Sequence, residues 1–241
     1  MTISNKLIVA LDVETVSRAR ELIDILREHV GMFKVGSQLF TAAGPDLVRE
    51  IIRSGSRVFL DLKFHDIPNT VAAAGVEATR LGVTIFNVHA AGGSEMMRRT
   101  AEAVSHVAES EGLSRPAVIA VTVLTSADGT TLESIGLTSD PQSQVLRLAL
   151  LAAQSGMDGV VASPLEVPAV RGAVKNSGFL IVTPGVRPGG ASRDDQKRVL
   201  NPAQTIRAGA DYLVVGRPIT TAKDPAEAAR RIVEEMEPVV Q

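Results

Sequence analysis

A closed (β/α)8 barrel is the fold the sequence predicts, and three observations predict it. Eight short, β-branched apolar runs recur along the 241 residues, longer segments of helical period separate them, and the runs are apolar throughout instead of alternating. Continuously apolar strands belong to a parallel sheet covered on both faces, and parallel strands are joined by helical crossovers. Eight such units in about 200–250 residues suit closure into one barrel, so residues 1–241 are read as a single (β/α)8 domain. A doubly wound open sheet is the other arrangement this pattern allows.

The elements follow in order. The first run, Leu7 to Leu11, precedes a segment in which Val16, Ala19, Leu22, Ile23, Leu26 and Val30 fall on one helical face. Met32 to Val35 and Val58 to Leu62 are the second and third runs, and Pro68 with Thr70 opens the helix after the third. Ile85 to Val88, Val118 to Val123, Gly159 to Ala162, Leu180 to Thr183 and Tyr212 to Val215 complete the set. Asp140-Pro141, Asn201-Pro202 and Asp224-Pro225 each pair a side-chain acceptor at the N-cap with proline at the first helical position. Gly31, Gly55, Gly82, Gly156 and Gly209 sit just before the next run, where a left-handed residue turns the chain out of a helix. Gly185 to Leu200, with Pro188, Gly189 and Gly190, is long for a connection in a compact domain and is read as a lid.

Composition narrows the function. Without cysteine there is no disulfide framework, thiolate zinc site or cysteine nucleophile. With 25 basic against 27 acidic side chains and no basic tract, a dedicated nucleic-acid binder is not expected. The apolar runs fall short of the ~20 residues that span a bilayer, so no membrane partner is expected. The opening MTISNKLIVALD meets Asp12 too soon for a signal peptide, and the expected location is cytoplasmic.

In such a barrel the reactive groups lie at the C-terminal ends of the strands. Polar residues close the runs there: Asp12, Lys34, Asp61 with Lys63, His89, Thr125, Arg187 and Arg217. A single strand-end Asp is more often a helix cap and a single His a structural hydrogen-bonder; seven converging strand ends favour a site. Alternation with period two places Asp61 and Lys63 on the inward face, with Leu60 and Leu62 outward, and Asp66 three residues beyond Lys63 has left the strand. Carboxylates beside an ammonium favour its charged form, which disfavours Schiff-base chemistry at Lys63 and suits it to donate a proton. At the far end of the chain, Thr183-Pro184-Gly-Val-Arg187 and Val215-Gly216-Arg217 follow the seventh and eighth runs, a frequent phosphate position in this fold. Gln196, within the lid segment, is placed to close on the same phosphate.

These residues, in this order over essentially the whole chain, resemble the orotidine 5′-phosphate decarboxylase family. Asp61-Leu-Lys-Phe-His-Asp-Ile-Pro-Asn-Thr70 is similar to the family's central motif without departure. Ala10-Leu-Asp12, Phe33-Lys-Val-Gly36, Asn87-Val-His-Ala90, Val123-Leu-Thr-Ser126, Thr183 to Pro188, Asp195-Gln196 and Val215 to Pro218 support it. The resemblance implies a barrel homodimer that converts orotidine 5′-monophosphate to uridine 5′-monophosphate and carbon dioxide in pyrimidine nucleotide synthesis, without metal or organic cofactor. It implies that Lys34, Asp61, Lys63 and Asp66 form an alternating charged network, with Lys63 protonating pyrimidine C6. Asp66, Ile67 and Thr70 would then reach in from the partner subunit. Asp12 and Lys34 would hold ribose hydroxyls, and Thr125 or Ser126 the pyrimidine. Pro184, Arg187, Gln196, Gly216 and Arg217 would bind the phosphate side of the substrate. His89 matches a family position to which no step is attached, and His65, His29 and His106 are read as structural or surface residues.

Two other readings share parts of this pattern. A magnesium-dependent sugar-phosphate decarboxylase or synthase of the same superfamily resembles it in the Asp-x-Lys strand but holds its metal with an acid at the end of strand two, where Lys34 stands here. A non-catalytic phosphate-ligand binder has no use for adjacent charges that are costly to bury.

Overall fold

The computed structural model describes residues 2–137, 140–188 and 200–237. Eight parallel strands close into a barrel in chain order: β1 (Leu7–Ala10), β2 (Met32–Gly36), β3 (Val58–Phe64), β4 (Ile85–His89), β5 (Ala117–Val121), β6 (Gly159–Val161), β7 (Leu180–Pro184) and β8 (Tyr212–Val215). The helices that carry the chain back are α1 (Val16–Leu26), α2 (Ser37–Arg53), α3 (Pro68–Arg80), α4 (Gly93–Glu111), α5 (Gly129–Ser134), α6 (Pro141–Gln154), α7 (Val167–Ala173), α8 (Pro202–Arg207), α9 (Arg217–Thr220) and α10 (Pro225–Met236). Among the described residues no helix is long and apolar enough to cross a membrane.

The strands are apolar throughout because alternate residues enter two different cores. Ile8, Met32, Phe59, Ile85, Ile119, Val182 and Val214 fill the barrel interior. Leu7, Val9, Phe33, Val35, Leu60, Phe86 and their neighbours pack between the barrel and its helices. Two residues further toward the C-terminal ends, the inward positions become polar: Lys34 follows Met32, Asp61 follows Phe59, and Asn87 follows Ile85.

The helix starts agree with the sequence. Asp140 accepts from the N–H groups of Gln142 and Ser143, Asp224 from that of Glu227, and Asn201 forms a reciprocal capping box with Gln204. Pro68 is the first residue of α3.

Several boundaries differ from expectation. The first helix ends at Leu26, leaving Val30 outside it, because Gly31 N–H already bonds the carbonyl of Leu7 and the chain must leave the helix before that. Gly55, Gly82, Gly156 and Gly209 have the expected positive φ, but Gly31 does not. A Cβ at Gly31 would lie 2.2 Å from the carbonyl oxygen of Asn5, so glycine is needed there for close approach and not for handedness. β1 stops at Ala10, β5 runs from Ala117 to Val121, and β2, β3, β4 and β7 reach one or two residues beyond the apolar runs. Backbone pairing is decided by the neighbouring strand and so extends through polar residues.

The two ends of the segment read as a lid pair with each other. Val186 pairs with Leu200, and Arg187 N–H donates to the Leu200 carbonyl at 3.0 Å. Residues 189–199, including Gln196, lie outside the described residues.

Candidate active site

A cavity of about 620 Å³ opens at the C-terminal mouth of the barrel, and the strand-end residues converge on it. Asp12, Lys34, Asp61, Lys63, Thr125, Pro184, Arg187, Gly216 and Arg217 all line it. Of the two adjacent hydroxyl residues, Thr125 lines the cavity and the exposed Ser126 does not.

Four charges alternate along one wall. Lys34 Nζ lies 2.9 Å from Asp12 Oδ1 and 3.2 Å from Asp61 Oδ2, and Lys63 Nζ donates to Asp61 Oδ1 at 2.7 Å. Burial by itself would depress the pKa of Lys34, but Asp61 and Asp12 outweigh it and hold the ammonium above the ordinary lysine value. For Asp61, burial pushes upward. The charges of Lys34 and Lys63, with hydrogen bonds from Lys63 and Asn87, outweigh that and keep it below the usual carboxylate value. Both groups are thus ionised because each is paired twice, Lys34 with Asp12 and Asp61, and Asp61 with Lys34 and Lys63. Both ends of this row of charges reach solvent, the Lys63 side chain 34% exposed and that of Asp12 58%.

The route by which Lys63 reaches this wall corrects the simple alternation read from sequence. Asp61 does occupy the inward position after Phe59, but the β3–β4 register slips between Leu60 and Phe64, and Lys63 has φ +53. A bulge and a left-handed lysine together deliver the ammonium to the carboxylate. Backbone strain of this kind costs about 1–3 kcal/mol and persists only where surrounding structure enforces it.

Two residues of this wall escaped the sequence reading as site residues. Gly36 lines the cavity, and a Cβ there would stand 3.0 Å from Lys34 Nζ and 3.1 Å from Asp12 Oδ1, so any side chain would press on that ion pair. Asn87 is 1% exposed; its Nδ2 donates to Asp61 Oδ1 at 2.7 Å and its Oδ1 accepts from Lys63 N–H at 2.8 Å. The available signal was its position two residues after Ile85 on a strand otherwise apolar inward.

Other expected residues stand apart. Asp66, Ile67 and Thr70 are exposed beyond the end of β3 and do not line the cavity of their own chain; Ile67 is 67% exposed. Asp66 Oδ1 accepts from Ile67 N–H at 2.6 Å. His89 also lies off the cavity, its ring 5.4 Å from that of His65. Burial, followed by the charges of His65 and Lys63, lowers its pKa against the opposing effect of Asp61, so it is neutral near pH 7.

Arg187, Gly216 and Arg217, which follow β7 and β8, also line the cavity. A Cβ at Gly216 would meet nothing closer than Ala10 Cβ at 3.6 Å, so packing does not demand glycine there. Its bare backbone borders the cavity.

Residues 5–232 match the orotidine 5′-phosphate decarboxylase / HUMPS family. The orotidine 5′-phosphate decarboxylase of Geotalea daltonii is 55% identical over 231 residues, covering 96% of this chain and 95% of that protein. That of Moorella thermoacetica is 53% identical over 240 residues, covering 99% and 95%. Among solved structures, orotidine 5′-phosphate decarboxylase from Lactobacillus acidophilus superposes with a TM-score of 0.84 at 37% identity, covering 96% of this chain and 98% of that one.

Proposed function

The chain belongs to the orotidine 5′-phosphate decarboxylase / HUMPS family, and from that membership we propose that it converts orotidine 5′-monophosphate to uridine 5′-monophosphate and carbon dioxide. The observation that carries the chemistry is the Asp61 carboxylate held between two ammonium groups in the cavity wall, 3.2 Å from Lys34 and 2.7 Å from Lys63. The bond from C6 to the carboxylate carbon breaks, its electron pair stays on C6, and carbon dioxide leaves. That pair lies in the ring plane, where the π system absorbs it poorly, so stabilisation must be electrostatic. The Lys63 ammonium attracts the developing charge and then gives its proton to C6, forming the C6–H bond of the product. Asp61 orients that ammonium through the 2.7 Å hydrogen bond, and its own negative charge disfavours a substrate carboxylate placed beside it.

The remaining residues have assignable tasks. Asp12 and Lys34 hold the ribose hydroxyls, and Thr125 supplies a polar contact to the pyrimidine. Arg187, Arg217 and the backbone at Gly216 take the phosphate, with Pro184 beside them and Gln196 as a further phosphate ligand. Asp66, Ile67 and Thr70 complete the site of a partner subunit in a homodimer. Their exposure and their position off the cavity of their own chain support this reading.

The direct test is turnover of orotidine 5′-monophosphate, followed by loss of its ultraviolet absorbance with and without EDTA. Turnover is expected and is expected to survive chelation, since the carboxylates of Asp12 and Asp61 are already engaged by ammonium groups. Activity that disappears with EDTA and returns with magnesium would favour the sugar-phosphate reading.

Arg217→Ala is expected to lower kcat/KM by about 10- to 100-fold, the range for one charge-assisted contact. Binding energy from a phosphate that does not react can be used to favour the closed, reactive state, so both kcat and KM should suffer. A substrate lacking the phosphate should be nearly indifferent to the change. Equal losses for both substrates would show that Arg217 acts on something else.

A further inference from the structure

Leu60 pairs with Phe86 and Phe64 with Val88, so three residues of β3, Asp61, Leu62 and Lys63, lie opposite one residue of β4. That residue is Asn87. The bulge interrupts the regular β4 pairing of the three, while Asp61 still pairs with Gly36 of β2, and an N–H left unpaired there would be costly. Instead Lys63 N–H donates to Asn87 Oδ1 at 2.8 Å, while Asn87 Nδ2 donates to Asp61 Oδ1 at 2.7 Å. The amide's orientation is forced by chemistry: a backbone N–H requires the oxygen, and an ionised carboxylate requires the nitrogen. One planar, buried group thus sets the backbone of the ammonium-bearing residue and the carboxylate that holds that ammonium.

We propose that Asn87 is a positioning residue for the proton donor, a clamp that keeps Lys63 in its left-handed conformation and Asp61 in register with it. The proposal rests on the decarboxylase reading and deepens it. Lysine has no intrinsic preference for φ +53. Without the clamp, the strand can relax toward regular alternation and carry the Nζ atom away from its place. A displacement of about 1 Å at a reacting group is enough to cost about 100-fold in rate.

The test uses the full-length protein with Asn87→Ala and Asn87→Asp. In Asn87→Ala, kcat should fall about 10- to 100-fold with KM changed much less, because the phosphate-binding side is untouched. Asp61 should also lose a hydrogen bond to its charged form, so the acid-side fall of kcat should begin at higher pH than in wild type. The charged groups facing Asp61 are Lys34 from β2 and Lys63 from its own strand, with Asp12 acting through Lys34 and the titratable His89 at the end of β4, and none is altered. Asn87→Asp has the same shape and keeps an acceptor for Lys63 N–H, but sets a second carboxylate against Asp61. Its acid-side fall should move further up in pH, and it supplies the answer if the alanine variant does not fold.

Wild-type kcat and an unmoved acid limb in a folded variant would overturn the clamp. So would a loss of kcat with no displacement of that limb, which is what loosened packing alone would give. If the wild-type protein does not turn over orotidine 5′-monophosphate, the decarboxylase reading is what fails. The clamp is then judged by carbon-13 NMR titration of the Asp61 carboxyl, which must move to higher pH in both variants for the clamp to stand.

Discussion

Lys63→Ala is expected to lower kcat for orotidine 5′-monophosphate by about ten-thousand-fold or more while leaving uridine 5′-monophosphate binding measurable. General acid catalysis alone contributes roughly 100- to 10,000-fold, and the same ammonium also stabilises the charge growing at C6. Binding should suffer far less, since the residues proposed to take the phosphate, Arg187, Gly216 and Arg217, line the cavity from other strands and are unchanged. The fold should tolerate the change, because Asp61 keeps Lys34 at 3.2 Å and Asn87 at 2.7 Å after the lysine amine is gone. Single-turnover kinetics and calorimetric titration with the product separate the two quantities. An unchanged kcat with weakened binding would contradict the proton-donor role and make Lys63 a ligand-binding group instead.

Mixing Lys63→Ala and Asp66→Ala protomers is expected to restore about a quarter of wild-type activity from two nearly inactive parents, if the protein is a two-fold dimer with shared, independent sites. Asp66 lies beyond β3, exposed and off the cavity of its own chain, whereas Lys63 lines that cavity. In a mixed dimer one site then collects both lesions and the other neither. Random re-pairing of equal amounts makes half of the dimers mixed, each with one of its two sites intact. The check is decarboxylation after co-expression, with the heterodimer fraction measured by native mass spectrometry on differently tagged protomers. Verified heterodimers without recovered activity would return Asp66 to its own chain's chemistry and end the shared-site reading.

Several features were legible in the linear chain because they depend on local periodicity. Eight apolar runs separated by helical segments imply a parallel sheet covered on both faces, since such a sheet uses strands without polar alternation, and eight units in one chain of this length suit its closure into a barrel. The N-caps at Asp140, Asn201 and Asp224 were equally legible, because a cap bonds N–H groups two or three residues away. The charged wall was visible as residue types at strand ends, and Asp12, Lys34, Asp61 and Lys63 do meet there.

What only the tertiary structure decided involves a second strand or a distant backbone. That Lys63 reaches Asp61 through a left-handed residue, and that Asn87 holds both, depends on β4 being shorter than β3 by two residues across the bulge. Periodicity in one strand contains no information about its neighbour's register. Gly31 looked like a helix-terminating glycine, and its true constraint is the carbonyl of Asn5, brought against it by the fold. Thr125 and Ser126 are adjacent and chemically alike, and the direction of the chain after β5 turns only Thr125 toward the cavity. By itself the sequence determined the fold and the residue types of the charged wall, through short-range periodicity and capping. The distances that make the wall a mutually paired network came from strand register and close backbone approach, which arise only when segments far apart in the chain pack together.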